Sequence, residues 1–150
     1  MSRTGAGVLA GFVAGAVMAM GMMAWMAATG RSTWTNPNLI AVMWTGTPPS
    51  DGFSGATVVG FVTHQLTSAL MGWVAVPFLR DLPTGRTVLV AFAYALASYP
   101  LVFALVLTWA NPLMVEQSAL VPMTIAHAGF GVVLGGLYVW LRRRRHAPIR

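Results

Sequence analysis

Four stretches of this chain carry no charged residue, and each is long enough to cross a lipid bilayer. They run from Gly5 to Thr29, Phe53 to Leu79, Thr87 to Trp109 and Ser118 to Leu141. As helices rising 1.5 Å per residue they extend about 35–40 Å, against a hydrocarbon core of about 30 Å. Charged residues make up only 8% of the chain, where a soluble domain carries roughly 25%. So few charges cannot cover a soluble surface. The expected fold is an all-α membrane protein of four transmembrane helices. It forms a single integral domain over residues 1–150, with a basic tail from residue 142 to 150.

The first stretch rivals a signal peptide, whose apolar region is roughly 7–15 residues. Gly5 to Thr29 is much longer, which favours an uncleaved first helix. Between the first two spans, Gly30 to Gly52 is mixed in character. Asn36-Pro37 reads as an N-cap followed by proline at the first helical position. Leu39 to Trp44 is too short to span and predicts a short interfacial helix, with Trp34 and Trp44 at headgroup level. Ser54 is a candidate N-cap for the second span. Pro100 is expected to kink the third, because proline removes a backbone bond and clashes one turn back.

The arginines set an orientation. With four spans, both termini and the Arg80–Arg86 turn share one side. That side holds Arg3, Arg80, Arg86, Arg142 to Arg145 and Arg150, and the other holds only Arg31. Eight against one is a positive-inside pattern, which places both termini in the cytoplasm. The net charge of +6 is therefore a membrane flank and not a nucleic-acid surface. There is no cysteine, which excludes disulfides, thiolate metal sites, iron–sulfur clusters and covalent haem attachment.

Two patterns recur. Trp34-Thr35-Asn36-Pro37 is echoed by Trp109-Ala110-Asn111-Pro112, and His64 with Gly72 by His127 with Gly135, the histidine-to-glycine spacing being eight both times. The expected origin is a duplicated helical hairpin forming parallel repeats, although interfacial Trp, capping Asn and helix-starting Pro also converge on such a motif.

Helical spacing puts Thr57, Gly60, His64, Thr67, Ser68 and Met71 on one small and polar face of the second span. Thr124, His127, Gly131, Gly135 and Tyr138 share a face of the fourth. Gly7, Gly11 and Gly15 form a ridge on the first span that continues as Met18, Met22 and Met26. The glycines Gly7, Gly11, Gly15, Gly72, Gly131 and Gly135 are expected at helix–helix contacts. Counted from the outer ends of their spans, His64, His127 and Met22 lie roughly 16, 13 and 11 Å deep.

Three readings stand for these residues. The histidines are neutral and hydrogen-bonded, with methionine as adaptable packing. Alternatively they hold a non-covalent haem b between facing helices. Or His64, His127, Met22 and Met18 bind copper, which suits imidazole and thioether. Asp51, Asp81 and Glu116 are the only acidic side chains and all lie in loops. No intramembrane acid, catalytic triad, zinc motif or phosphate loop is present, so no catalytic residue is expected. His146 falls in the basic tail and is expected to be solvated.

His127-Ala128-Gly129-Phe130-Gly131 with Gly135-Gly136-Leu137-Tyr138 resembles the closing helix of uncharacterised bacterial four-span membrane families. Gly11-Phe12-Val13-Ala14-Gly15-Ala16-Val17-Met18 is similar to their first helix. The resemblance covers two of the four spans. It implies a small protein of the bacterial cytoplasmic (inner) membrane and no particular reaction. The leading expectation is a non-catalytic accessory or assembly module packing through its glycine ridges, as a homo-oligomer or in a larger membrane complex. Its alternatives are a haem- or copper-binding redox protein and a small oligomeric transporter. The lipid bilayer is the expected partner, and nucleic acid is not.

Overall fold

The computed structural model describes residues 1–144; the readings made of Arg145, His146 and Arg150 lie outside the described residues. The described chain is all-helical, with no strand. In order come α1 (Arg3–Ala28), α2 (Thr35–Thr45), α3 (Gly55–Leu79) and α4 (Thr84–Val102). A π-helical turn (Phe103–Leu107), α5 (Thr108–Ala110), α6 (Pro112–Gln117) and α7 (Leu120–Arg143) follow. Four helices are long and apolar enough to cross a membrane: α1, α3, α7 and the run Thr84–Ala110. This is a small multi-pass membrane protein.

Local chemistry explains the helix ends. The Ser2 side chain accepts from Gly5 N at 2.9 Å and starts α1. At the other end Gly30 takes φ +74°. Gly30 N bonds Ala27 O and Arg31 N bonds Met26 O, the paired bonds of a Schellman stop. Ser54 and Thr57 form a capping box at α3, which satisfies two orphan N–H groups. The expected Asn-Pro start holds at α6, where Asn111 caps Met114 N at 3.1 Å and Pro112 opens the helix. It fails at α2, which begins at Thr35 with no side-chain cap. There Asn36 lies inside the first turn and lines a cavity.

The third span, expected to kink at Pro100, runs as helix through that residue. Pro100 lies within α4, and the backbone widens into the π turn three residues later. Proline leaves the Leu96 carbonyl, one turn back, without a donor; the π turn lies on the other side of it. Phe103 O takes the Thr108 N–H there and a second bond from Thr108 Oγ1 at 2.9 Å.

The long helices close into a bundle in the order α3, α1, α7, α4. α1 packs between α3 and α7, and α4 packs against α7. α3 and α4 scarcely meet; their link is Tyr94 OH donating to Met71 O at 3.1 Å and a Phe78–Tyr94 stack. One end of the bundle carries the arginines. Arg3 pairs with Asp81 at 3.0 Å and Arg143 donates to Thr84 at 2.9 Å. Here the core is small: Ala6, Ala10, Ala14, Ala75, Ala91 and Ala95, closed by Leu134 and Tyr138. The opposite end, which carries α2 and α6, is filled by large flexible side chains: Met22, Met26, Leu39, Tyr99, Leu107, Met114 and Met123.

Candidate intramembrane binding site

Gly60 of α3 presses on the Pro37 carbonyl of α2, and the six glycines expected at helix–helix contacts also lie at close approaches. On α1, Gly7 and Gly11 face Gly72 of α3, with a Cβ on Gly11 falling 2.7 Å from Gly72 Cα. Gly15 abuts the Ser68 side chain. On α7, Gly131 lies against Ala91, Phe92 and Ala95, and Gly135 against Thr87, Val88 and Ala91. All six glycines therefore serve contacts within the chain. The α1–α3 crossing is tightest at Gly72, eight residues or about 12 Å along the helix from His64, and the α4–α7 crossing at Gly131, one turn from His127, with Gly135 a turn further on. Away from these crossings, toward the α2 and α6 end, the helices leave a cavity of about 250 Å³.

His64 and His127 both line this cavity. His64 donates through Nε2 to Gly15 O at 3.0 Å, across the α1–α3 contact. His127 donates through Nδ1 to Met123 O at 2.8 Å, one turn back on α7. A carbonyl only accepts, so these bonds fix the tautomers. Nδ1 of His64 and Nε2 of His127 are the nitrogens that remain. The His127 ring also lies against Tyr99, with ring centroids 4.6 Å apart, and Tyr99 in turn meets Phe103 of the π turn edge-on.

Met22, expected at one level with the two histidines, lines the same cavity, as does Met18 of the candidate copper set. Met20 does not: it is 61% exposed on the lipid-facing side of α1. Met26 is buried in the adjacent cluster but is not part of the lining. The lining contains seven of the ten methionines: Met18, Met22 and Met23 on α1, Met43 on α2, Met71 on α3, Met114 on α6 and Met123 on α7. None of the three acidic side chains lines it. Among the described residues no three His, Cys, Asp or Glu side chains gather as a metal site.

Several polar residues hold the site together, of which Asn38 and Gln65 were not singled out from sequence. Asn38, 1% exposed, donates to Ser50 O and Gly52 O at 2.6 and 2.9 Å and accepts from Thr57 at 2.6 Å. It clamps α2 and the following loop onto the start of α3. Asn111 donates to Leu39 O at 2.8 Å and ties α6 to α2. Gln65, next to His64, donates to Phe12 O at 3.1 Å while its Oε1 is buried without a partner. The signal for each was an amide side chain flanked by apolar residues, where an unsatisfied polar group is costly.

No protein-family model matches this chain, and neither a curated protein nor a solved structure is similar to it.

Proposed function

We propose that this chain is a non-catalytic binding module of the bacterial inner membrane, N-in and C-in, whose ligand sits between His64 and His127. One observation carries the reading. Two histidines from different hairpins line one cavity, each with one ring nitrogen committed to a backbone carbonyl and the other uncommitted. Packing alone does not require a cavity at that point. The arginine asymmetry supports the orientation, with α2 at the outer interface. A duplicated hairpin is supported by His64 and His127 lining one cavity, each with a glycine at a helix contact eight residues further on.

The other readings fit the geometry less well. Assembly through the glycine ridges would need free ridges, and these are occupied inside the chain. A transport pathway would need to continue toward the arginine end, where alanines and Tyr138 are packed and fully buried. Haem needs more room: about 250 Å³ is below the roughly 300–1,000 Å³ of ordinary small-molecule sites.

The test is purification from membranes in mild detergent, followed by native mass spectrometry, a visible spectrum and metal analysis. The wild type is expected to retain a bound species that His64→Ala and His127→Ala both lose. A wild type free of any bound species, or one whose ligand survives in both variants, overturns the reading.

A further inference from the structure

We infer that the ligand of this cavity is a single soft monovalent cation, Cu(I), held by His64 Nδ1 and His127 Nε2 and completed by methionine thioethers. The inference rests on the cavity being a ligand site, and it goes further by naming the ligand's charge and softness.

The donor set comes first. A histidine that donates one ring N–H to a carbonyl is fixed in tautomer and more basic at its other nitrogen, which is the usual arrangement of a metal-binding imidazole. Both histidines have it here. Around them stand thioethers from five different helices, of which Met22, Met114 and Met123 are 5%, 8% and 3% exposed. Thioether with imidazole is a soft, neutral set that selects Cu(I) over the hard cations favoured by carboxylate and carbonyl oxygen.

Charge then decides the oxidation state. No acidic side chain reaches the cavity, and the two carboxylates with side-chain partners elsewhere are spoken for: Asp81 by Arg3 and Arg80, Asp51 by Thr35. A divalent ion would enter a low-dielectric site with both charges uncompensated. The cost of burying an ion rises with the square of its charge, so a monovalent ion pays about a quarter as much. Neutral donors in an apolar wall therefore discriminate against Zn(II) and Cu(II) and accept Cu(I).

The full-length protein in mild detergent, kept anaerobic with ascorbate, is titrated against a chromogenic Cu(I) chelator. The wild type is expected to withdraw one Cu(I) per chain, with both nitrogen and sulfur neighbours in X-ray absorption at the copper edge. His64→Ala and His127→Ala should each weaken binding at least tenfold. A second variant guards against misfolding: Met18→Leu, Met22→Leu, Met114→Leu and Met123→Leu together conserve volume. With helical circular dichroism unchanged, this variant should lose the sulfur signal and at least tenfold in affinity. A wild type that leaves copper on the chelator overturns the proposal. So does a leucine variant that binds as wild type, or equimolar Zn(II) displacing the copper. If the purified protein carries another ligand that the histidine variants lose, yet takes up no Cu(I), the cavity remains a binding site and the copper assignment falls.

Discussion

Gly72 shows how much one atom decides in this protein. A Cβ added there would press on Gly7 O and lie 2.7 Å from Gly11 Cα, both of them backbone that cannot swing aside. Gly136, only one residue past Gly135, has nothing within 4 Å of an added Cβ. Gly72→Ala is therefore expected to destabilise the bundle by about 1–3 kcal/mol, the usual cost of overpacking. Gly136→Ala should leave stability unchanged or raised, since alanine orders a helix more readily than glycine. Thermal unfolding of the two variants in the same detergent checks the contrast, and equal effects would count against it. The spacing of the glycines was readable from the sequence because helical periodicity puts every fourth residue on one face. Their partners were not, because periodicity describes one helix and carries no information about its neighbour. The same limit held for Asn38: its amide was visible, but the loop carbonyls it would bind depended on how that loop folds back.

Among the elements, α4 departs furthest from what its sequence pattern predicts. The third span reads as one helix with a proline bend. In the structure the helix continues through Pro100 into a π turn that places Phe103, Val106 and Leu107 on the cavity wall. The extra residue per turn shifts the faces of everything beyond it, including Leu107, buried at 9% exposure beside Met114. Hydrophobic spacing cannot reveal this, since a single inserted residue leaves an all-apolar segment looking equally apolar. Pro100→Ala restores the missing N–H and its bond to Leu96 O, which tightens the helix leading into the π turn and re-aims the residues beyond it. The expected result is slower amide exchange over residues 103–108, a stability equal to or above wild type, and ligand retention weakened about tenfold because the wall residues rotate away. Exchange mass spectrometry and the ligand assay on one preparation check both parts. Retention at the wild-type level with slowed exchange would show that the π turn is not part of the site. By contrast, the ends of α1 and α3 were legible to within two residues, because caps act through nearest neighbours alone: Ser2, Gly30 and Ser54 each work within four positions of themselves.

At the scale of the molecule, the helix order α3, α1, α7, α4 brings two ordinary hairpins onto one cavity. The α1–α7 contact joins the hairpins, while α3 and α4 stay apart except at Tyr94, and the space left between them is where both histidines arrive. Sequence could give the four spans and the level of each histidine, but helix order around the bundle follows from long-range packing that no single segment encodes. The arginines stand in the opposite case. Their arrangement was legible from counting alone, and the structure gathers Arg3, Arg80, Arg142 and Arg143 at one end through Asp81, Leu79 O and Thr84. Arg144 stacks over Trp140 at 3.8 Å, at the end of α7. An assembled end of this kind resists crossing a membrane as a unit, because each arginine costs roughly 2.5–3.5 kcal/mol at the bilayer centre. Fusions to a reporter active only outside the cytoplasm are therefore expected to be silent at residues 1, 84 and 150. They should be active within residues 46–52 and within 115–118. Replacing Arg142 to Arg145 with glutamine should leave that pattern in place, since Arg3, Arg80 and Arg86 still outweigh Arg31. Adding Arg3→Gln, Arg80→Gln and Arg86→Gln removes the asymmetry, and a mixture of both orientations is expected. Reporter activity at residue 150 of the wild type would invert the protein, and with it the side of the membrane from which the histidine cavity is reached.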